Sequence, residues 1–124
     1  MTSDGRAYAR FRSALERGSP LQVRAAASEL ATVGLDDALA VCLVFLDREP
    51  EVFPRAAARW VARLVLERPV ALVDAQLALA SLGALQYGDR RAGGEALIEL
   101  CTTCRLPRVE AILTSWLERQ GIGN

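Results

Sequence analysis

The sequence predicts an all-α protein, and three observations support that prediction. Apolar residues recur at helical spacing, and no segment shows a sustained strand-like alternation of apolar and polar residues. The chain is 52% apolar but only 6% aromatic, a mixture that favours close-packed helices. Gly and Pro interrupt the pattern at intervals, so we expect about seven helices with short connections. One domain covering residues 1–124 is expected at this length.

Residues that start or stop helices mark the ends of the seven segments. Gly18 ends the first helix, and Ser19 caps a second helix that has Pro20 in its first turn. Pro69 stops the fourth helix. Antiparallel neighbours follow from the short connections. The predicted helices cover about residues 4–17, 20–32, 35–48, from between 50 and 54 to 67, 72–86, from between 89 and 95 to 103, and from 107 onward.

The apolar pattern also predicts which residues form the core. Helices three and five are apolar all round, which indicates elements buried by neighbours on both sides. Gly93 and Gly94 are interpreted as a flexible link rather than an anion-binding turn. The side chains expected in the core include Tyr8, Leu39, Cys42, Leu43, Phe53, Trp60 and Trp116.

Two short segments recur along the chain. Residues 33–38 share Val, Leu, Asp and Ala with residues 70–75, a spacing of 37 residues, and the segment beginning at Arg24 recurs at Arg55 after 31 residues. Residues 19–119 therefore resemble the short α-solenoid repeats of the HEAT and armadillo type. The resemblance implies stacked helical hairpins that present one helical layer to a partner. An orthogonal helical bundle is the alternative architecture.

Composition excludes several classes of function. All 15 basic residues are Arg and there is no His, so a phosphate-loop lysine, a Schiff base and the commonest general base are absent. The 15 acidic residues bring the formal charge to zero, which argues against nucleic acid as a partner. The longest apolar run, residues 38–46, is too short to span a bilayer, and the N-terminal residues 1–12 carry no secretory signal pattern. We expect no catalytic activity, no cofactor and no membrane association.

Cys101 and Cys104 form the one recognisable short motif, a Cys-Thr-Thr-Cys segment near the end of a helix. A redox pair requires a helix N-terminus to lower the pKa of the first thiol, and these residues lie at the opposite end. A tetrahedral metal site needs four ligands, and Cys42 is the one other thiol in the chain. We interpret them as small core residues, with a thiol-based sensor or a metal site shared between chains as the alternatives. An odd number of Cys residues favours a cytoplasmic location.

Pairs of carboxylates have ordinary interpretations. Asp36 and Asp37 are adjacent and point in different directions from a helix, where capping accounts for them. Glu95 and Glu99 share a helix face but have no further ligand beside them, which is typical of a solvated surface. Neither pair predicts a metal or acid-base site.

The fourth helix carries the candidate binding surface. Arg55, Arg59 and Arg63 recur every four residues on one side, opposite Phe53, Ala57, Trp60 and Leu64. Glu51 and Glu67 lie four residues from the outer two arginines and are able to pair with them, which leaves Arg59 without an acidic neighbour at that spacing. An ordinary solvated face is the alternative interpretation.

The function expected from these features is a non-enzymatic protein–protein interaction or adaptor module. It would bind another protein, with an acidic surface facing the arginines, or a second copy of itself. The alternative function is that of a nucleic-acid-associated regulator, in which the arginines of helix four are joined by Arg24, Arg90 and Arg91.

Overall fold

A computed structural model describes residues 3–121, with side chains from residue 5 onward, so five residues of the predicted 1–124 domain lie outside the description. The described part is all-α and contains no strand. None of its helices combines the length and the apolar character needed to cross a membrane. The helices are α1 (Ser3–Arg17), α2 (Pro20–Ser28), α3 (Leu35–Arg48), α4 (Phe53–Glu67), α5 (Leu72–Tyr87), α6 (Arg90–Thr103) and α7 (Pro107–Arg119).

The predicted start and stop residues agree with most helix ends. Ser19 caps α2 by accepting a hydrogen bond from the Gln22 backbone N–H, and Pro20 occupies the first turn. The prediction was wrong at the end of α2, which stops at Ser28 rather than near residue 32. The Ser28 hydroxyl donates to the Ala25 carbonyl (2.7 Å), an interaction that competes with helix continuation.

Helix α3 lies at the centre of the fold and contacts α1, α2, α4 and α7. Its residues Leu39, Cys42 and Leu43 are buried, which confirms their predicted core position. Trp60 of α4 is also buried, and its indole N–H donates to the Leu35 carbonyl at the start of α3 (2.8 Å). The apolar side chains of α3 to α7 form one continuous core.

Helices α1 and α2 form a hairpin with a smaller core of their own. Phe11, Ala14, Val23 and Ala26 make up that cluster, which leans on the partly buried Val41 and Val44 of α3. Polar contacts add to the attachment. Tyr8 and Arg12 of α1 reach Asp37 of α3, and Arg24 of α2 reaches Glu49 beyond the end of α3. The N-terminal hairpin is thus joined to the rest mainly along one side of α3.

The last helix returns to the centre instead of extending a stack. Buried Trp116 of α7 donates its indole N–H to Asp47 of α3 (3.0 Å). The Arg90 guanidinium lies 5.2 Å from the Trp116 ring centroid and donates to the Gln120 side-chain oxygen. In a linear stack of helical hairpins the last helix would contact its neighbours in sequence and not α3. The described helices do not show a HEAT or armadillo repeat.

The sixth helix contains both glycines that the sequence presented as a flexible link. Gly93 and Gly94 are buried inside α6, so that interpretation was wrong. A Cβ atom placed on Gly93 would lie 2.8 Å from both the Ala84 Cβ and the Ser81 carbonyl oxygen of α5. The missing side chain therefore allows α5 and α6 to approach closely, and these two helices share the largest interhelical contact of the fold.

Helix α5 departs from the expectation of burial on both sides. Ala78, Ser81, Leu82 and Leu85 are buried, but the opposite side of the helix faces outward. Leu72 is 78% exposed and Tyr87 is 81% exposed. Helical periodicity does not reveal this, because an all-apolar helix has no polar stripe to mark its outer side.

Candidate functional site

The arginines of α4 project from the outer side of the helix as predicted. Arg55 and Arg59 are exposed, and neither side chain forms an ion pair or hydrogen bond with another described residue. Arg63 is half-buried and donates to Glu67 (2.8 Å), the predicted pair at the helical spacing of four. Glu51 does not form the other predicted pair. Two unpartnered guanidinium groups therefore stand one turn apart.

Core packing fixes the direction of these arginines. Phe53, Trp60 and Leu64 are 1%, 2% and 1% exposed, and they hold the inner side of α4 against the core. A helix anchored in this way cannot rotate without exposing large apolar side chains, each of which contributes about 1.5 to 3 kcal/mol by burial. The outward direction of Arg55 and Arg59 is thus a property of the fold.

Exposed apolar residues lie beside the arginines. Ala58, Ala62 and Val65 are exposed, and Leu66, on the last turn, is 85% exposed. Successive residues of a helix turn by 100°, which places Leu66 on the same side as Arg55 and Arg59. The outer surface of α4 thus combines unpartnered arginines with apolar area, and arginine is enriched at protein–protein interfaces relative to other surfaces. The sequence interpretation overlooked Leu66.

The three other arginines considered for this surface are engaged elsewhere. Arg24 donates to Glu49 (2.7 Å) and lies over the Phe45 ring. That hydrogen bond lowers the pKa of the Glu49 carboxyl below its ordinary value. Arg90 donates to the Leu85 carbonyl and Gln120, and Arg91 pairs with Glu95 (3.0 Å) within α6. These contacts leave the α4 arginines as a local feature rather than part of a broad basic face.

The cysteines are free, and two of the three are buried. Cys101 is 1% exposed, and burial raises the pKa of its thiol to about 12. Burial likewise raises the pKa of the Cys42 thiol to about 12 and, to a smaller extent, that of half-buried Cys104 at the end of α6. A thiolate is the reactive form, so these environments suppress reactivity. No group of three or more metal-ligating side chains occurs among residues 5–121.

The thiols lead to a prediction about alkaline pH. Cys42 and Cys101 keep their protons in the folded state up to a pH of about 12, whereas an unfolded thiol loses its proton near its ordinary pKa of 9.0. Their contribution to stability is complete below pH 9.0 and is lost as pH rises toward about 12. Urea titrations at increasing pH should show a falling free energy of unfolding. In the Cys101→Ala variant the free energy of unfolding should fall less steeply with pH. Equal dependence on pH in the variant and the original chain would contradict a buried, protonated Cys101 thiol.

One buried carboxylate was assigned the wrong role by the sequence. Asp36 and Asp37 were expected to cap α3, and they do lie in its first turn. The N-cap position, however, is occupied by Gly34, and no side chain forms a capping hydrogen bond there. Asp37 is 5% exposed and accepts hydrogen bonds from the Tyr8 hydroxyl (2.9 Å) and from Arg12 (3.0 Å). Partial burial has the largest effect on the pKa of Tyr8 and raises it, and the hydrogen bond to Asp37 raises it further. Asp37 joins α1 to α3, and Tyr8, expected in the core, is 45% exposed.

An open groove of about 610 Å³ lies between α1, α3 and α7. Its lining includes Leu43 and Val44 of α3 together with Ser115 of α7. The Ser115 hydroxyl donates no hydrogen bond to a side-chain base among the described residues. A second cavity of about 380 Å³ lies where the start of α3 meets the end of α4 and the start of α7. In the described part of the chain, no nucleophile of either cavity donates a hydrogen bond to a general base, the contact that activates a nucleophile in covalent catalysis.

The chain is therefore an all-α protein, and its candidate site is the exposed outer surface of α4 rather than a cleft. Searches of protein-family models, of characterised proteins and of solved structures give no match to the chain.

Proposed function

We propose that this protein is a non-enzymatic interaction module that binds another protein through the outer surface of α4. The observation that carries the proposal is the pair of exposed guanidinium groups of Arg55 and Arg59 without an acidic partner among the described residues. Guanidinium groups form paired hydrogen bonds with carboxylates and are weakly hydrated, so they are favoured at protein interfaces. The partner would present acidic side chains to the arginines and an apolar residue to Leu66.

Charge distribution favours a protein over nucleic acid. Nucleic-acid binding draws on several phosphate contacts from a broad basic surface. Here the formal net charge is zero, and Arg24, Arg90 and Arg91 are already engaged in contacts within the fold. Two unpartnered arginines fit a small acidic patch better than a phosphate backbone. The burial of Cys101 and the raised pKa of its thiol count against the thiol-sensor alternative.

Arg59→Glu is the substitution expected to separate binding from folding. Reversing the charge should weaken binding of an acidic protein partner by about 1 to 3 kcal/mol, because a carboxylate would then face the partner's carboxylates. The free energy of unfolding should change by less than about 0.5 kcal/mol, since Arg59 is exposed and unpaired. The partner is first captured from native lysate at moderate salt and identified by mass spectrometry. Calorimetric titration and thermal unfolding then give the two quantities.

The matched control is Arg108→Glu on α7, which makes the same charge change at an exposed arginine outside the α4 surface. It should leave affinity for the partner unchanged. If Arg59→Glu binds the partner as tightly as the original chain does, the α4 surface is an ordinary solvated face. If the captured material is nucleic acid whose binding falls steeply with salt, the regulator alternative replaces the present proposal.

A further inference from the structure

The outward side of α5 is an apolar surface that none of the described helices covers. Its members, here called the α5 face, are Leu72, Val73, Gln76, Leu79, Ala80, Gly83 and Tyr87, all exposed. Leu72, Val73, Leu79 and Tyr87 are 78%, 67%, 48% and 81% exposed. At 100° per residue these seven positions span about 120° around the helix axis, so they form one continuous stripe. A stripe of this kind on a small protein marks an interaction surface.

The chemistry of the α5 face indicates what covers it. The face carries no charged side chain, and its polar groups are the Gln76 amide and the Tyr87 hydroxyl. Asp74, the only charged residue of α5, is half-buried and lies outside the face. A neutral apolar stripe offers nothing to orient a charged partner, whereas a second copy of the chain always brings an identical neutral stripe. A two-fold interface needs a surface that is complementary to itself.

The sizes of the side chains suit an antiparallel pairing. Val73, Gln76, Ala80, Gly83 and Tyr87 are spaced alternately by three and four residues, the repeat of helices that pack lengthwise against each other. Bulky residues stand at both ends of this series, and small ones lie in the middle. Nothing lies within 4 Å of a Cβ atom placed on Gly83, so the middle is open to a neighbouring backbone. When the two helices run in opposite directions, Tyr87 of one copy lies against Val73 of the other. The small residues in the middle of the two helices then lie against each other.

We propose that the protein forms a two-fold symmetric dimer in which the α5 faces of two copies pack antiparallel. The helix is 16 residues long, so the contact runs for about 24 Å. Pairing along that length buries on the order of 500 Å² per copy, less than the roughly 800 Å² of a standard interface. The dimer is therefore weak, with a dissociation constant of about 1 to 100 µM. The α4 arginines are not needed for it.

Sedimentation equilibrium of the whole chain over a concentration series tests the dimer. The original chain should approach twice its mass of 13.4 kDa as its concentration rises through the micromolar range. Leu72→Glu should raise the dissociation constant at least about tenfold, because each copy would place a carboxylate in an apolar contact. The matched control, Leu21→Glu, makes the same change at a leucine of α2 that is 77% exposed, and it should dimerise like the original.

Two results would overturn the inference. One is a chain that stays monomeric up to about 1 mM, where even a weak specific dimer would be populated. The other is a dimer that Leu72→Glu leaves intact, since the contact would then lie elsewhere. Circular dichroism of both variants should match that of the original, because Leu72 and Leu21 are both exposed. Arg59→Glu should dimerise normally, so failure of the dimer and failure of the α4 proposal are separate outcomes.

Orientation has its own test by disulfide cross-linking. In an antiparallel pair with its axis near Ala80, the Ala80→Cys variant brings the new thiols of the two copies together, and oxidation should give a covalent dimer. Tyr87→Cys should not cross-link, because the two positions lie at opposite ends of the contact. Cross-linking of Tyr87→Cys would indicate parallel pairing, whether or not Ala80→Cys also cross-links, and would overturn the proposed arrangement. The original chain, which carries Cys104 but no added thiol, is oxidised in parallel to show whether Cys104 itself forms a cross-link.

Discussion

Replacing Trp116 with Ala is expected to lower the free energy of unfolding by about 3 to 5 kcal/mol, the usual effect of removing a buried aromatic side chain. Trp116 is 1% exposed and fills the contact between α7 and α3. Its loss also removes the hydrogen bond to Asp47 (3.0 Å) and the ring beneath the Arg90 guanidinium. Urea titration followed by far-UV circular dichroism measures the change.

Trp116→Phe is the control that separates the ring from its N–H group. Phe keeps most of the buried area but cannot donate to Asp47, so the free energy of unfolding should fall by only about 1 to 2 kcal/mol. A fall of under about 1 kcal/mol for Trp116→Ala would mean that α7 is a frayed terminal helix. In that event α7 would not close the bundle against α3.

Gly93→Ala is expected to destabilise the protein by about 2 to 3 kcal/mol, although alanine ordinarily favours a helix over glycine by about 1 kcal/mol. The added Cβ would lie 2.8 Å from the Ser81 carbonyl oxygen, a backbone atom that moves only with α5 itself. The two helices must separate to admit it, and their shared core loses contact. Thermal and urea unfolding should both report the loss.

The matched control makes the same substitution on the neighbouring helix. Gly83 lies in α5, is exposed, and has nothing within 4 Å of the position that an added Cβ atom would take. Gly83→Ala should therefore raise the free energy of unfolding by about 0.5 to 1 kcal/mol through helix propensity alone. Measurement at a chain concentration below that of dimer formation keeps the α5 face out of the comparison. Equal effects at Gly83 and Gly93 would contradict the close packing of α5 on α6.

Local signals made the helices predictable. Gly18, Ser19 and Pro20 act within one turn of the chain, and the predicted α3 agrees with Leu35–Arg48 at both ends. The recurrence of Arg every four residues, opposite the apolar residues of the same helix, likewise predicted that Arg55 and Arg59 lie on the exposed side of α4. These features depend on helical geometry alone, which is readable without tertiary structure.

The features that the sequence did not reveal depend on which helices become neighbours. Gly93 looked like a break because its packing partner Ser81 belongs to another helix. Asp37 looked like a capping residue because its hydrogen-bond partners Tyr8 and Arg12 lie 29 and 25 positions away. The open side of α5 was hidden for the same reason. An apolar residue such as Leu72 has the same sequence pattern whether a helix covers it or not.

The separate small core beneath α1 and α2 has a consequence for motion. Phe11 and Val23 belong to that cluster, whereas the main core is built by α3 to α7. Cooperative unfolding follows contiguous cores, so the N-terminal hairpin is a unit able to open while the remaining helices stay folded. Such an opening breaks the polar contacts of Asp37 and exposes Val41 and Val44 on α3. An opening of this kind would leave both α4 and the α5 face intact.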